Sequence, residues 1–321
     1  MVWKIFFALS FAAALAAGGA SAQALPPNVQ LIVPFSPGGP VDFTARVLAD
    51  GMRAGLGIPI VVENRPGANG AVAAVSVKNA PADGKALLFA SSGMVTIGPH
   101  MDKKLPYDPL RDFAHVASVS YIDGGMVVGA KLPANSLKEF VELARASQPP
   151  LVFGSPGRGN HSHLNLEQLK DAAKIDLLHV PYKGAAAVLT QLLGGQITGA
   201  FIGVSTALPH VRAGKLKALG VTGKKRSAIA PEIPTFEEQG YSGLDIQAWT
   251  GILAPRNTRA ETVKALASAV LHAVEQKDTN ARLLSAGMTP WVVMGGEFER
   301  SIKSESEHFK KLIVEKNLAG E

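Results

Sequence analysis

The stretch "VQLIVPFSPGGPVDFTAR", residues 29–46, joins an apolar run to a segment of helical periodicity through a turn of glycines and prolines. The helical segment spans 41–56 and places its large apolar residues on one face. Turns of this kind hold phosphates, acyl oxyanions or carboxylates, because glycine lets backbone N–H groups converge and the helix dipole favours an anion. The rest of the chain decides among these ligands.

Short apolar runs alternate with helical segments along the chain from Val29 onward. These runs predict eight strands: 29–35, 58–62, 86–90, 126–130, 151–154, 177–180, 198–203 and 217–221. Ser or Thr followed three residues later by Glu predicts helix starts at Ser136, Thr235 and Thr258. The alternation indicates an α/β protein whose mostly parallel sheets are flanked by helices.

Two breaks in this alternation, at 121–125 and 241–251, predict that the chain is divided into two lobes. A chain of about 300 residues is also large for one open sheet. If the chain crosses at both breaks, lobe 1 comprises 23–122 and 245–321, lobe 2 comprises 123–244, and a ligand cleft lies between them.

The first 22 residues have the features of a secretory signal peptide. Lys4 precedes an apolar run over 5–17, and Ala20-Ser21-Ala22 provides a small-x-small cleavage site. The run is shorter than the roughly 20 residues of a membrane span. We predict cleavage after Ala22 and a periplasmic mature protein, which has no cysteine for a lipid anchor or a disulfide.

The charge pattern indicates a small anionic ligand and no nucleic-acid partner. Without Lys4 the chain has 31 Lys and Arg against 26 Asp and Glu, a net charge of +5. These charges are scattered, and the densest cluster is only Lys224-Lys225-Arg226. A mildly positive field favours small anions.

The glycine turns do not have the spacing of nucleotide-binding motifs. Pro37-Gly38-Gly39-Pro40 lacks the G-x-G-x-x-G of a dinucleotide site, and Gly154, Gly157 and Gly159 occur in the wrong order. No Gly-Lys-Ser or Gly-Lys-Thr triplet of a phosphate loop occurs. We therefore expect no nucleotide cofactor.

A secreted serine hydrolase is the alternative from a different class, with Ser155 as the nucleophile. Its base would be one of three histidines: His161, His163 or His179. An α/β-hydrolase elbow needs glycine two residues before the serine, where this chain has Phe153, and Pro156 lacks the N–H that would bind an oxyanion. The histidine spacing also does not match a zinc site, so we expect no metal and interpret these histidines as capping or supporting residues.

Ligand binding is the remaining interpretation. "GSPGRGNHSHL", residues 154–164, repeats the strand, glycine turn and helix of the first stretch. Shorter versions occur in "PGANGAV" at 66–72, in Ser91-Ser92-Gly93 and in "PYKGAAA" at 181–187. Several such turns in a two-lobed chain predict a cleft that holds a carboxylate from both sides.

The sequence resembles the Bug-type substrate-binding receptors of tripartite tricarboxylate transporters over nearly the whole mature chain. The resemblance rests on motifs in the same order: "IVPFSPGGPVDFTAR", "VVENRPGANG", "NAPADGKALLFASS", "LPYDPLRDFAHV", "HVPYKGAAAVLTQLLGGQI", "LKALGVTGKKRSAIAPEIPTFEEQGY" and "AWTGILAP". It implies a two-lobed fold of the type II periplasmic-binding-protein class, a small carboxylate ligand, no catalysis and no cofactor. It also implies delivery to a membrane permease, and we expect a monomer; a receptor that signals to a sensor kinase is an open alternative.

The resemblance further implies that two turns act as a pincer on one carboxylate. The residues at the matching positions of the first turn are Ser36, Pro37, Gly38 and Gly39. Those of the second turn are Ser155, Gly157, Gly159, Asn160, His161 and Ser162. Asn69, Ser91, Tyr182, Lys183 and Gly184 would line the remainder of the site.

One departure from the family pattern suggests the type of ligand. Where many relatives have Phe-Asp, this chain has Phe201-Ile202. If that position faces the ligand, the change removes an acceptor for an ammonium group and favours a carboxylate with an apolar body. Asp42 and Arg46 are four residues apart on the first helix, and we expect them to form a structural ion pair.

Overall fold

The computed structural model describes residues 25–319, in which eleven strands form two sheets. The first sheet contains β1 (Val29–Val33), β2 (Ile60–Asn64), β3 (Ala86–Ser91), β4 (Phe113–Ile122), β10 (Ala248–Pro255) and β11 (Met288–Pro290). The second contains β5 (Gly124–Gly129), β6 (Leu151–Ser155), β7 (Leu177–Pro181), β8 (Gly199–Gly203) and β9 (Leu216–Val221). The predicted signal peptide lies outside the described residues.

Ten α-helices of the described residues flank these sheets. They are α1 (Pro40–Leu56), α2 (Ala71–Lys78), α3 (Gly98–Met101), α4 (Leu137–Ala146), α5 (His161–Ala173), α6 (Ala185–Leu193), α7 (Val204–Arg212), α8 (Ala260–Glu275), α9 (Lys277–Ser285) and α10 (Gly295–Glu315). A π-helical turn spans Gly93–Ile97, and 3₁₀ turns span Ala68–Gly70 and Glu237–Gln239. Between residues 25 and 319, no helix combines the length and the apolar character needed to span a membrane.

The structure confirms all eight strands predicted from the sequence, each to within two residues at either end. Three further strands, β4, β10 and β11, were not predicted. They complete the first sheet, whose order is β11-β4-β10-β3-β1-β2, whereas the second has the order β7-β6-β8-β5-β9.

Most strands of each sheet point in one direction, as the alternation predicts. In the first sheet β1 to β4 run the same way, and in the second β6 to β9 do. The exceptions inside the sheets are β10 and β5, each of which pairs antiparallel with both of its neighbours. Both strands enter their sheet directly after the chain leaves the other one, which reverses their direction.

The chain changes sheets at the two breaks seen in the sequence. β4 ends in the first sheet at Ile122 and β5 begins in the second at Gly124, so the crossing is at Asp123. The chain returns between Val221 and Ala248. Sheet membership thus follows the predicted division, while the lobe boundaries at 122/123 and 244/245 stay predictions.

Two of the three predicted helix starts have the expected side-chain bonds. The N–H of Glu139 donates to Ser136 Oγ at the start of α4. Thr235 and Glu238 bond reciprocally, although they precede a 3₁₀ turn and not an α-helix. The prediction for Thr258 was wrong, because its hydroxyl donates to the carbonyl of Pro255 and α8 begins without a side-chain cap.

Aromatic side chains fill the core of the second sheet. The ring of Phe153, on β6, lies with its centroid 6.0 Å from that of Phe140 and 5.6 Å from that of Phe201. All three rings are buried. This core supports β6, whose carboxyl end carries the second predicted turn.

We expect Phe153→Ala to lower the free energy of unfolding by about 3–5 kcal/mol, because it leaves a cavity between two buried rings. Denaturant titration measures the change. Leu178→Ala is the matched control, since that side chain is 56% exposed on the neighbouring strand. An equal effect of both substitutions would show that Phe153 does not have this packing role.

Candidate functional site

The parallel strands bring the predicted site residues to one edge of each sheet. In the first sheet β1, β2 and β3 end at the same edge, which places the 36–39 turn, Asn69 and Ser91 there. In the second sheet β6 and β7 end together, which places the 155–162 and 182–184 turns at its corresponding edge. The carboxyl edge of a parallel sheet is where α/β proteins bind ligands.

A buried carboxylate holds the first turn. Asp42, in the first turn of α1, accepts the Gly38 N–H at 2.9 Å and is paired with Arg46. Asn64, at the end of β2, donates to the same carboxylate at 2.8 Å and to the carbonyl of Phe35 at 2.9 Å. The contact between Asp42 and Arg46 confirms the predicted ion pair. Gly38 adopts φ +88°, where a side chain would be strained.

This environment lowers the pKa of Asp42. Burial alone would raise the pKa, but the hydrogen bonds from Arg46, Gly38 and Asn64 outweigh it. A carboxylate whose pKa is lowered in the folded chain stabilises the fold at pH values above its pKa in the unfolded chain, about 4. That stabilisation is lost as the pH falls through the lower pKa of the folded state.

The second turn is held by hydrogen bonds to neighbouring elements of its own sheet. The Asn160 side chain caps α5 by accepting the His163 N–H at 3.0 Å. The 182–184 turn is tied to the end of β6, because Tyr182 N–H donates to the carbonyl of Ser155 and Gly184 N–H to that of Pro156. Ser155 itself is fully buried.

The two edges meet at Ser92, directly after β3. Its Oγ accepts the Trp249 N–H at 2.9 Å and lies 2.9 Å from Nε2 of His161, the first residue of α5. Beside this contact, the space in front of Gly159 is filled by the side chain of Met101. The start of α5, which carries the second turn, therefore touches the edge of the first sheet at which the 36–39 turn also lies.

Several backbone amides remain available at the two edges. At the start of α1 the N–H groups of Gly39, Val41 and Asp42 have no acceptor within residues 25–319. At the start of α5 the same holds, among the described residues, for the N–H groups of His161 and Ser162. By contrast, the amides of Gly38 and Gly159 are already bonded inside their own turns. The unpaired donors at two helix N-termini suit an anion.

The remaining predicted residues differ in accessibility. Ser36, Pro37, Gly38, Asn69 and Lys183 are exposed, whereas Gly39, Ser91, Gly157, Gly159, Asn160, His161, Ser162, Tyr182 and Gly184 are partly buried. The His161 ring is engaged with Ser92 and packs edge-on against Phe309. Burial lowers the pKa of His161 to about 4, so its ring is neutral at ordinary pH.

The premise that position 202 faces the ligand was wrong. Its side chain is buried in the core of the second sheet, packed with apolar residues of β5 and α6 such as Val127 and Val188. A strand alternates its side chains between two faces, and Ile202 lies on the packed face. The replacement of aspartate at this position therefore gives no information on the ligand.

The structure pairs Ser155 with His179, which the hydrolase alternative requires, but in an unsuitable geometry. The Oγ of Ser155 lies 2.7 Å from His179 Nε2. The same hydroxyl donates its single proton to the Gly157 carbonyl at 2.7 Å, so the histidine must act as donor. A base that already holds its proton cannot activate this buried hydroxyl.

Sequence reasoning missed the roles of Ser92, His163 and His179. Ser92 lay within the quoted Ser91-Ser92-Gly93 turn, but nothing in the sequence distinguished it from Ser91. The capping or supporting role expected for the histidines fits His163 and His179, but nothing in the sequence pairs their two rings. Among the described residues no cluster of three or more His, Asp or Glu side chains has the arrangement of a metal site.

A cavity of about 720 Å³ lies beside the two crossings between the sheets. Its walls include Asp123, Lys224, Gln247, Trp291 and Glu305. None of the predicted ligand residues lines it.

Comparison with known proteins gives consistent matches over nearly the whole chain. Residues 44–318 match the family described as "Tripartite tricarboxylate transporter family receptor". The protein BugT of Bordetella pertussis is 31% identical over 290 residues, which cover 89% of this chain and 88% of BugT.

Solved structures share the fold at similar identity. The periplasmic binding protein BugD is 29% identical with a TM-score of 0.77, covering 92% of this chain and 99% of BugD. Rpa4515 of R. palustris with adipate is 28% identical with a TM-score of 0.79, covering 91% and 98%. MatC of Rhodopseudomonas palustris with bound malate is 30% identical with a TM-score of 0.73, covering 89% and 98%.

We expect Asp42→Asn to lower the free energy of unfolding by about 1–3 kcal/mol at neutral pH, because hydrogen bonds to a charged acceptor are lost. The difference from the unmodified protein should shrink as the pH falls below about 4. Denaturant titrations at several pH values measure it. Asp176→Asn is the control, since that side chain is 76% exposed and its 4.0 Å ion pair with Lys170 should matter little. A pH-independent difference would contradict the assignment to the Asp42 charge.

Proposed function

The chain belongs to the receptor family of tripartite tricarboxylate transporters, and we propose that it is a periplasmic receptor that captures a small carboxylate and delivers it to a membrane carrier of that type. The carboxylate would lie between the 36–39 turn and the 155–162 turn. The secretory features of residues 1–22 support the periplasmic location.

The observation that carries this proposal is a pair of helix N-termini with unpaired amides, one at the carboxyl edge of each sheet. The start of α1 offers the N–H groups of Gly39, Val41 and Asp42, and the start of α5 those of His161 and Ser162. Each helix dipole adds partial positive charge at its own edge. Such a site binds an anion without a cationic side chain, because the donors are already oriented.

Ligands of similar proteins suggest which carboxylates to test first. Rpa4515 was solved with adipate and MatC with malate, and both compounds are dicarboxylates. We propose a dicarboxylate as ligand, with one carboxylate at the helix N-termini. The exposed Lys183, in the 182–184 turn, could pair with a second carboxylate.

We expect Gly39→Leu to weaken dicarboxylate binding by about tenfold or more, because the new side chain would occupy the space in front of the first turn. Gly39 has φ −83° and ψ 171°, which any residue adopts, and a Cβ there meets nothing within 4 Å. Titration calorimetry with adipate and malate measures the affinity, and 1,6-hexanediol tests whether the charge is needed.

Gly129→Leu is the matched control for this substitution. A Cβ at Gly129 also has no neighbour within 4 Å, but the residue lies at the opposite edge of the second sheet. Its binding should match that of the unmodified protein. Equal affinity of the Gly39 and Gly129 variants would place the ligand elsewhere, and failure of all carboxylates to bind would refute the proposed function.

The same protein should show no Ser155-dependent esterase activity, because the Ser155 proton is committed to Gly157. Hydrolysis of a p-nitrophenyl ester, compared between the unmodified protein and Ser155→Ala, measures this. Activity that disappears with the substitution would support the hydrolase alternative over the receptor.

A further inference from the structure

Two histidine rings lie stacked beneath the second turn. Their centroids are 3.9 Å apart and their planes differ by 14°. His163 is the third residue of α5 and is buried, while His179 lies in the middle of β7. The proposed carboxylate site does not require either side chain to touch the ligand.

Each ring is bonded to a different part of the turn. The Gly159 N–H donates to His163 Nδ1 at 3.0 Å, and Gly159 adopts φ +68°. At the other end of the turn, His179 Nε2 bonds to the Oγ of Ser155 at 2.7 Å. That hydroxyl donates in turn to the carbonyl of Gly157. The stacked rings thus connect three points of one five-residue segment.

The hydrogen bonds assign the protonation state of both rings. His163 accepts at Nδ1, so its proton is on Nε2, which lies 3.8 Å from the Glu167 carboxylate. Ser155 gives its proton to Gly157, so His179 must donate from Nε2. Both rings therefore carry a proton on Nε2, which makes His163 neutral and gives a neutral His179 the same tautomer.

The surroundings favour this neutral state. Burial lowers the pKa of His163 to about 4, and the positive charges of Arg158 and Lys170 act in the same direction. Burial and the stacked partner ring lower the pKa of His179 to about 4, against the opposing effect of Glu167 and with further lowering by Lys170 and Arg158. Because the unfolded chain binds more protons below about pH 6.5, these rings favour the folded state more as the pH rises from 4 to 6.5.

We propose that His163 and His179 are positioning residues, which act as one stacked unit to set the conformation of the 155–159 turn and, through it, the affinity of the carboxylate site. The part that concerns affinity rests on the proposed function. The geometry of the turn does not, since the bonds to Gly159 and Ser155 exist without a ligand. The two parts can therefore be tested separately.

Substitutions that keep or remove the hydrogen-bonding group of each ring test the proposal. His163→Asn keeps an acceptor near the position of Nδ1, and His179→Gln keeps a donor near Nε2, whereas His163→Leu and His179→Leu remove them. We expect each Leu variant to weaken binding of adipate or malate, whichever binds the unmodified protein, by roughly 5- to 10-fold. The Asn and Gln variants should recover most of the affinity. His272→Leu, on the exposed face of α8, is the control.

Two measurements on the ligand-free protein follow the turn directly. Amide hydrogen exchange should show loss of protection at Gly159 in His163→Leu and its return in His163→Asn. Imidazole ¹⁵N shifts should show both rings protonated at Nε2, with no second proton until the pH falls towards 4.

The outcomes separate this proposal from the proposed function. Unchanged exchange at Gly159 in His163→Leu, or a ring that titrates near its ordinary value of about 6.5, would overturn the positioning role. Changed exchange with unchanged affinity would overturn the link to binding. If no carboxylate binds the unmodified protein, the proposed function fails, and the exchange and ¹⁵N measurements alone decide whether the rings set the turn.

Discussion

The buried hydroxyl of Ser92 joins the two sheets at the edges where their ligand turns lie. It accepts the backbone N–H of Trp249 in β10 and bonds to the ring of His161 at the start of α5. Ser92 is fully buried, and a buried hydroxyl without hydrogen-bond partners would destabilise the folded state. This contact therefore holds the N-terminus of α5 beside the end of β3, together with the apolar cluster that includes Ile97, Leu164 and Phe309. The arrangement of the candidate site depends on it.

Each of the two turns is held by a side chain that accepts a glycine N–H, and the acceptor is charged in one turn and neutral in the other. Beneath the first turn, the charged Asp42 accepts the Gly38 amide, and beneath the second, the neutral His163 accepts the Gly159 amide. In both cases a side chain binds an amide inside the turn, and the amides at the helix start remain unpaired among the described residues. Donors fixed in this way need little reorganisation when an anion arrives, which favours binding.

Much of the fold could be predicted because strands such as β1 and β6 are short apolar runs between glycine-rich turns. The strands β4 and β10 could not, because they bury polar residues that a hydrophobic pattern does not reveal. Ser120 and Thr250 bond to each other across these strands at 3.1 Å, and Ser118 donates to the carbonyl of Trp291. Their partners are more than a hundred residues away in sequence, so only the paired strands show why these positions are buried.

The sequence by itself determined eight of the eleven described strands, the two places where the chain changes sheets, and the turns that carry the candidate site. Each of these features depends on residues within a few positions of one another, and local backbone preferences express them. The tertiary structure alone decided that Ile202 lies in the core, that Ser155 bonds to His179, and that Ser92 meets His161. These relations depend on strand register and on contacts between elements far apart in sequence, so no local pattern contains them.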